Sequence, residues 1–137
     1  MSEALKKNRP EFRNINKLTD LHRYRWPMAS LVSGGHRFGG FMLVLLLPFI
    51  LYLFDKSLTS EISFEYLKGF TSGWFVKLVI LMLAWLYLHH FCAGIRHLLA
   101  DLHIGLDKDP ARKSAVLVFA ISVPLAALVG LKLFGVL

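Results

Sequence analysis

Hydrophobic positions along this chain gather into three long runs instead of short alternating stretches. No charged side chain interrupts Phe38 to Phe54, Leu78 to Ile95 or Ser114 to Leu131. Each run approaches the roughly 20 residues that an α-helix needs to cross the hydrocarbon core of a bilayer. The pattern predicts an all-α membrane protein with three transmembrane helices, over about 27–54, 74–100 and 112–136, preceded by a polar arm over 1–26. Residues 27–137 then form one transmembrane domain. Helix punctuation agrees. Pro27 suits a first helical turn, Ser72-Gly73 breaks the chain before the second helix, and Asp107 to Pro110 turns it before the third. Pro48 and Pro124 fall inside spans, where neighbouring helices can absorb the lost backbone bond. The stretch from Asp55 to Gly73 reads as a loop.

Composition sharpens this picture. The 137 residues are 55% hydrophobic and 18% charged, with a mean hydropathy of +0.54. Three apolar runs leave little chain for a water-soluble core, which excludes a soluble domain. The net charge of +7 and pI near 9.8 would suit a polyanion binder if the charge were spread over a solvated surface. It is segregated instead. Lys6, Lys7, Arg9, Arg13, Lys17, Arg23, Arg25 and Arg37 precede the first run, and Lys108, Arg112 and Lys113 precede the third, while Asp55, Glu61 and Glu65 balance the loop between the first two. The positive-inside rule therefore predicts a cytoplasmic N-terminus and an external C-terminus. It offers a nucleic acid nothing.

Met1 to Arg25 has neither the short apolar stretch of a signal peptide nor the acid-poor character of a transit peptide. The expectation is a bacterial inner-membrane protein inserted by its own first helix. The single Cys92 permits no intrachain disulfide and no cysteine metal site. Trp26, Trp74 and Trp85 read as interfacial anchors or lipid-facing bulk.

Ionisable groups at membrane depth are costly and mark function by default. In the second helix His90, Gly94, His97 and Asp101 are spaced by four, three and four residues, which places them on one stripe. An imidazole in hydrocarbon is a suitable axial ligand for haem iron, because it binds through a neutral nitrogen. Gly94 would let a flat macrocycle lie against the backbone, and Arg96 and His97 would meet its propionates. His89 points about 100° away and is the weaker candidate. An intramembrane histidine also serves simply to bond across helices, with small residues such as Gly94 packing beside it. Spacing leaves both readings open. One helix also supplies one ligand on this stripe, so a second must come from elsewhere.

The first helix carries Ser30, Ser33, His36 and Arg37 on neighbouring positions. Hydroxyl, imidazole and guanidinium together suit a quinone carbonyl, which accepts hydrogen bonds and gains negative charge on reduction. The plainer account has Arg37 snorkelling to headgroups and the serines bonding back to helix carbonyls.

These residues, in this order, resemble the cytochrome b subunit of succinate dehydrogenase, the C-chain membrane anchor of respiratory complex II. Ser33-Gly34-Gly35-His36-Arg37 followed by Gly40 is similar to that family's S-x-x-H-R-x-[S/T]-G. The run from His90 to Asp101 is similar to its H-x-x-x-G-[I/V]-R-H-[L/M]-x-x-D. Arg9-Pro10 and then Pro27 also fit, so the resemblance spans nearly the whole chain. It implies a non-flavin subunit of succinate:ubiquinone oxidoreductase, three helices forming half of a haem-binding bundle. The other half comes from a companion D-chain anchor, and a flavoprotein and an iron–sulfur subunit complete the complex. It further implies that His90 is an axial ligand of haem b, with the second axial histidine on the companion chain. His36 and Arg37, with His97, would lie near the propionates; Ser33 and Arg37, with Ser30, would line the ubiquinone pocket. Two departures stand out: Gly39 replaces the family's Ser or Thr, and the stretch between Arg9-Pro10 and Pro27 is longer than in familiar members.

A fumarate reductase anchor shares this architecture, and the Ser33/His36/Arg37 motif favours the succinate-oxidising type. A haem-free structural subunit is the alternative of a different class. A small transporter fits less well, because the spans hold no broken-helix pair and no buried acidic pathway.

Overall fold

A computed structural model describes Thr19, Asp20, Arg23 and residues 25–137. The arm expected over 1–26, with Arg9-Pro10, lies almost entirely outside the described residues. The rest is helical: α1 (Met28–Thr59), α2 (Glu61–Thr71), α3 (Trp74–Asp101) and α4 (Lys108–Leu133). Three of them, α1, α3 and α4, are long and apolar enough to cross a membrane. At 32 residues α1 is roughly 48 Å long, well beyond a hydrocarbon core of about 30 Å. Its last turns, past Asp55, therefore project from the bilayer.

Between α1 and α3 the chain forms α2 where sequence suggested a loop. Ser60 starts it with reciprocal side-chain bonds: the Ser63 N–H donates to Ser60 Oγ, and the Ser60 N–H donates to Ser63 Oγ, each at 3.1 Å. This is a capping box with serine in the place usually held by Glu or Gln. Glu61 in the first turn and Lys68 in the last complement the helix dipole.

The other ends are equally explicit. Pro27 caps α1 in extended conformation, Gly73 precedes α3, and Asp107 precedes α4 with Pro110 in its first turn. Helix α3 stops in a Schellman-type turn in which the Ile104 N–H donates to the Leu99 carbonyl and the His103 N–H to that of Ala100. His103 holds the left-handed position there, with φ 62°, where glycine is the usual occupant. Helix α4 closes in the same way with Gly135 at φ 75°.

The helices pack through small residues. Ala115, Val118, Ser122, Ala126 and Gly130 form the buried stripe of α4, and the Gly130 Cα meets the Leu81 side chain of α3. Val32, Ala93, Ala115 and Val118 make the buried core, with Cys92 and Phe119 against it. It lies where the start of α1 meets the second half of α3 and the start of α4. Without hydrophobic pressure in lipid, close backbone approach supplies the attraction, and small side chains permit it. Large apolar residues such as Phe38, Phe41, Val44, Tyr87 and Phe91 face outward, as a lipid or helix partner requires.

Trp85 departs from the interfacial role expected for it. It is half-buried, its indole N–H has no hydrogen-bond partner among the described residues, and its ring lies 5.7 Å from that of His89. Ser122 is fully buried with its hydroxyl likewise unpartnered. Removing such a group relieves a desolvation cost, so Ser122→Ala should raise stability by about 1 kcal/mol. Thermal inactivation of the purified protein in its native assembly measures this; a lower midpoint would show that packing of the Ser122 hydroxyl outweighs its desolvation cost.

Candidate functional site

Helix periodicity places His90, Gly94 and His97 on the face of α3 that meets α1. There all three converge on one residue, His36. Its ring stacks on that of His90 with centroids 4.1 Å apart and planes 9° from parallel. It tilts against His97 at 4.8 Å and 42°. A Cβ on Gly94 would lie 3.5 Å from His36 Nε2, so this glycine makes room for the tip of the His36 imidazole.

The backbone of α1 then orients His90. His90 Nδ1 lies 3.0 Å from the carbonyl oxygen of His36. A carbonyl only accepts, so Nδ1 carries the proton and the neutral ring keeps its lone pair on Nε2. This is how metal-binding histidines are commonly fixed, with one nitrogen donating to a carbonyl and the other free to coordinate. Gly40 makes the approach possible, since a Cβ there would stand 2.8 Å from His90 Cε1. His97 Nε2 is buried without a hydrogen-bond partner among the described residues, which leaves a polar atom in the same cluster for a polar ligand group.

His89 lies 100° around α3 from His90, in the seam where α1 and α4 both meet α3. It is 2% exposed and lies 5.1 Å from the Phe119 ring, and a Cβ on Gly35 would stand 2.9 Å from its Nε2. Neither ring nitrogen completes a hydrogen bond among the described residues. Its neighbours are those of a residue packed between helices, and it does not join the His36 cluster.

Ser30, Ser33 and Arg37 occupy the strip of α1 adjoining His36 and Gly40. Ser33 is half-buried, whereas Ser30 and Arg37 are exposed on the outer surface of this chain. Arg96, expected beside the propionates, turns instead toward α4. Its Nε donates to Ser114 Oγ at 3.0 Å and its Nη2 to the Ala111 carbonyl at 3.5 Å. The reason is angular: Arg96 lies 240° around the helix from His90. Sequence reading passed over Gly35 and Gly40 as seats for the two histidine rings. Their signal was the run of small residues around His36.

The donor set fits a haem better than a metal caged by side chains. Among the described residues no group of three or more His, Cys, Asp or Glu side chains is arranged to hold an ion. One half-buried imidazole with an oriented, unbonded Nε2 is what a macrocycle needs from one side.

These features define a multi-pass, all-helical membrane protein with a histidine cluster at a glycine-lined helix crossing. The family model of the succinate dehydrogenase/fumarate reductase transmembrane subunit matches residues 6–129, and the chain belongs to that family. It is 36% identical over 105 residues to a succinate dehydrogenase cytochrome b556 subunit of Coxiella burnetii, covering 75% of this chain and 83% of that one. It is 32% identical over 108 residues to the subunit of the same name from Paracoccus denitrificans, covering 79% and 83%. The chain is thus a succinate dehydrogenase cytochrome b membrane subunit by descent.

Proposed function

We propose that this chain anchors a succinate:ubiquinone oxidoreductase in the bacterial inner membrane, supplies one axial ligand to haem b and forms part of the quinone-reduction site. The N-terminus faces the cytoplasm in this reading. A companion D-chain anchor gives the second axial histidine, and the flavoprotein and iron–sulfur subunits oxidise succinate. The observation that carries it is the His90 ring, held by the His36 carbonyl with Nε2 unbonded among the described residues. Both relatives carry a b-type cytochrome in their names, which supports the same reading.

His90 would hold the haem iron through Nε2, and His36, His97 and Arg37 would meet its propionates. When bound, haem b supplies a one-electron carrier whose potential its ligands and burial tune. Ser30, Ser33 and Arg37 face the quinone on the outer strip of α1, where the companion chain closes the pocket. Ser33 donates a hydrogen bond to a quinone carbonyl. The Arg37 guanidinium favours the negative charge that this oxygen gains on reduction, and a water-poor site strengthens that effect.

Arg37→Ala should lower kcat/KM for quinone by at least about tenfold, or ~1.4 kcal/mol, with a smaller loss for Ser33→Ala. Succinate-driven reduction of a dye by the peripheral subunits should be unchanged. Steady-state assays of the purified complex separate the two activities. Parent-like quinone kinetics in both variants would remove these residues from the site.

A further inference from the structure

On the side of the molecule away from the His36 cluster, α3 and α4 enclose a groove of about 320 Å³. Cys92, Ile95 and Leu99 line it from α3, and Leu117, Val118 and Ile121 from α4. Arg96 is the one charged residue among those lining it, and no carboxylate does so. From Cys92 to Ala100 the groove follows eight residues of helix, roughly 12 Å, close to the ~15 Å depth of one hydrocarbon leaflet. It is an apolar slot of leaflet length.

Arg96 sits midway along the α3 wall of this slot, one turn before Ala100 and about 7 Å of helix before Asp101. Its bonds to Ser114 and Ala111 use Nε and one N–H of Nη2. Both acceptors are neutral, and Arg96 forms no ion pair among the described residues, whose salt bridges join Lys56 to Asp55 and Lys68 to Glu65. A half-buried guanidinium at the end of a membrane span, with N–H groups unspent and no counter-charge, is incomplete electrostatically. The Ser114 bond holds it toward the groove, and this fixed orientation suits a phosphate.

We propose that the α3–α4 groove binds an anionic phospholipid, with one acyl chain against Ile95, Leu117 and Ile121 and the headgroup phosphate paired with Arg96. Charge complementarity selects this occupant. A guanidinium without a facing carboxylate attracts a phosphate and repels the ammonium of a zwitterionic lipid, and basic pockets between transmembrane helices take anionic headgroups for this reason. The site is independent of the haem and quinone reading, since it shares no residue with the His36 cluster or with Ser33 and Arg37.

The test uses the detergent-purified complex, stripped of lipid and re-supplied with equal phosphatidylglycerol and phosphatidylethanolamine, with bound lipid counted by native mass spectrometry. The parent should retain phosphatidylglycerol in preference. Arg96→Gln should lower its retention at this site about tenfold, the loss expected for one charge-assisted contact. Leu117→Trp, which fills the groove and leaves Arg96 in place, should remove that bound lipid. Ser114→Ala, which frees the guanidinium without discharging it, should retain the preference. Co-purification of the flavoprotein with this chain from detergent-extracted membranes reports that each variant is assembled; should Arg96→Gln fail to assemble, Leu117→Trp decides. Equal phosphatidylglycerol counts in the parent and Leu117→Trp would overturn the proposal. So would equal retention of the two lipids by the parent, or a density map of the complex with another polypeptide seated in the groove.

Discussion

Valine at position 40 should strip the assembled complex of most of its haem. The first atom it adds, Cβ, would stand 2.8 Å from His90 Cε1 and 3.3 Å from Nδ1, inside van der Waals contact. The His90 ring cannot rotate away cheaply, because Nδ1 is bonded to the His36 carbonyl and its face is stacked on the His36 ring. Either α1 retreats from α3 or the imidazole leaves its carbonyl. Overpacking of this kind costs about 1–3 kcal/mol, and both outcomes move Nε2 off the position where iron would meet it. Gly34→Val is the matched control. It adds the same side chain one and a half turns earlier on α1, where a Cβ finds no neighbour within 4 Å. The expected haem-to-flavin ratio of the purified complex is under about a tenth of parental for Gly40→Val and parental for Gly34→Val. Equal ratios in the two variants would show that the crossing does not position the ligand.

Alanine at position 90 should act still more directly. It removes the one ring of the cluster that, among the described residues, combines a carbonyl-held Nδ1 with an unbonded Nε2. His36 and His97 remain, but His36 Nε2 points at Gly94 and the His97 ring tilts against that of His36, so neither ring takes the His90 position. His89 is one residue away yet points 100° around α3, toward Gly35 and Phe119. Substituting phenylalanine there keeps an aromatic ring between Gly35 and Phe119 while removing both buried nitrogens, and should leave the haem in place.

Three spans were legible because uninterrupted apolar runs admit little else. Their ends were less so. Helix α1 continues past Asp55 and Lys56 to Thr59, since a helix outside the bilayer tolerates charge, and the apolar run marks only the part in contact with lipid. Helix α2 was hidden because Ser60 and Ser63 form an uncommon capping pair, and its mixed composition reads equally well as a loop. The stripe of His90, Gly94 and His97 followed from helical spacing alone. Its partner did not, because His36 and His90 are 54 residues apart in sequence and spacing carries no information across that distance. The orientation of Arg96 was available in principle, since the helical angle that groups His97 with His90 sends Arg96 elsewhere. Ser114, the residue that receives it, lies on another helix.

The central claim is that His90 Nε2 is an axial ligand of haem b. It is tested most directly by dithionite-reduced minus oxidised optical spectra of the purified complex, with parent, His90→Ala and His89→Phe side by side at equal flavin content. The account predicts a b-type band in the parent and in His89→Phe and its loss in His90→Ala, with dye reduction by succinate retained in all three. An undiminished b-type band in His90→Ala, or its disappearance in His89→Phe alone, would contradict it.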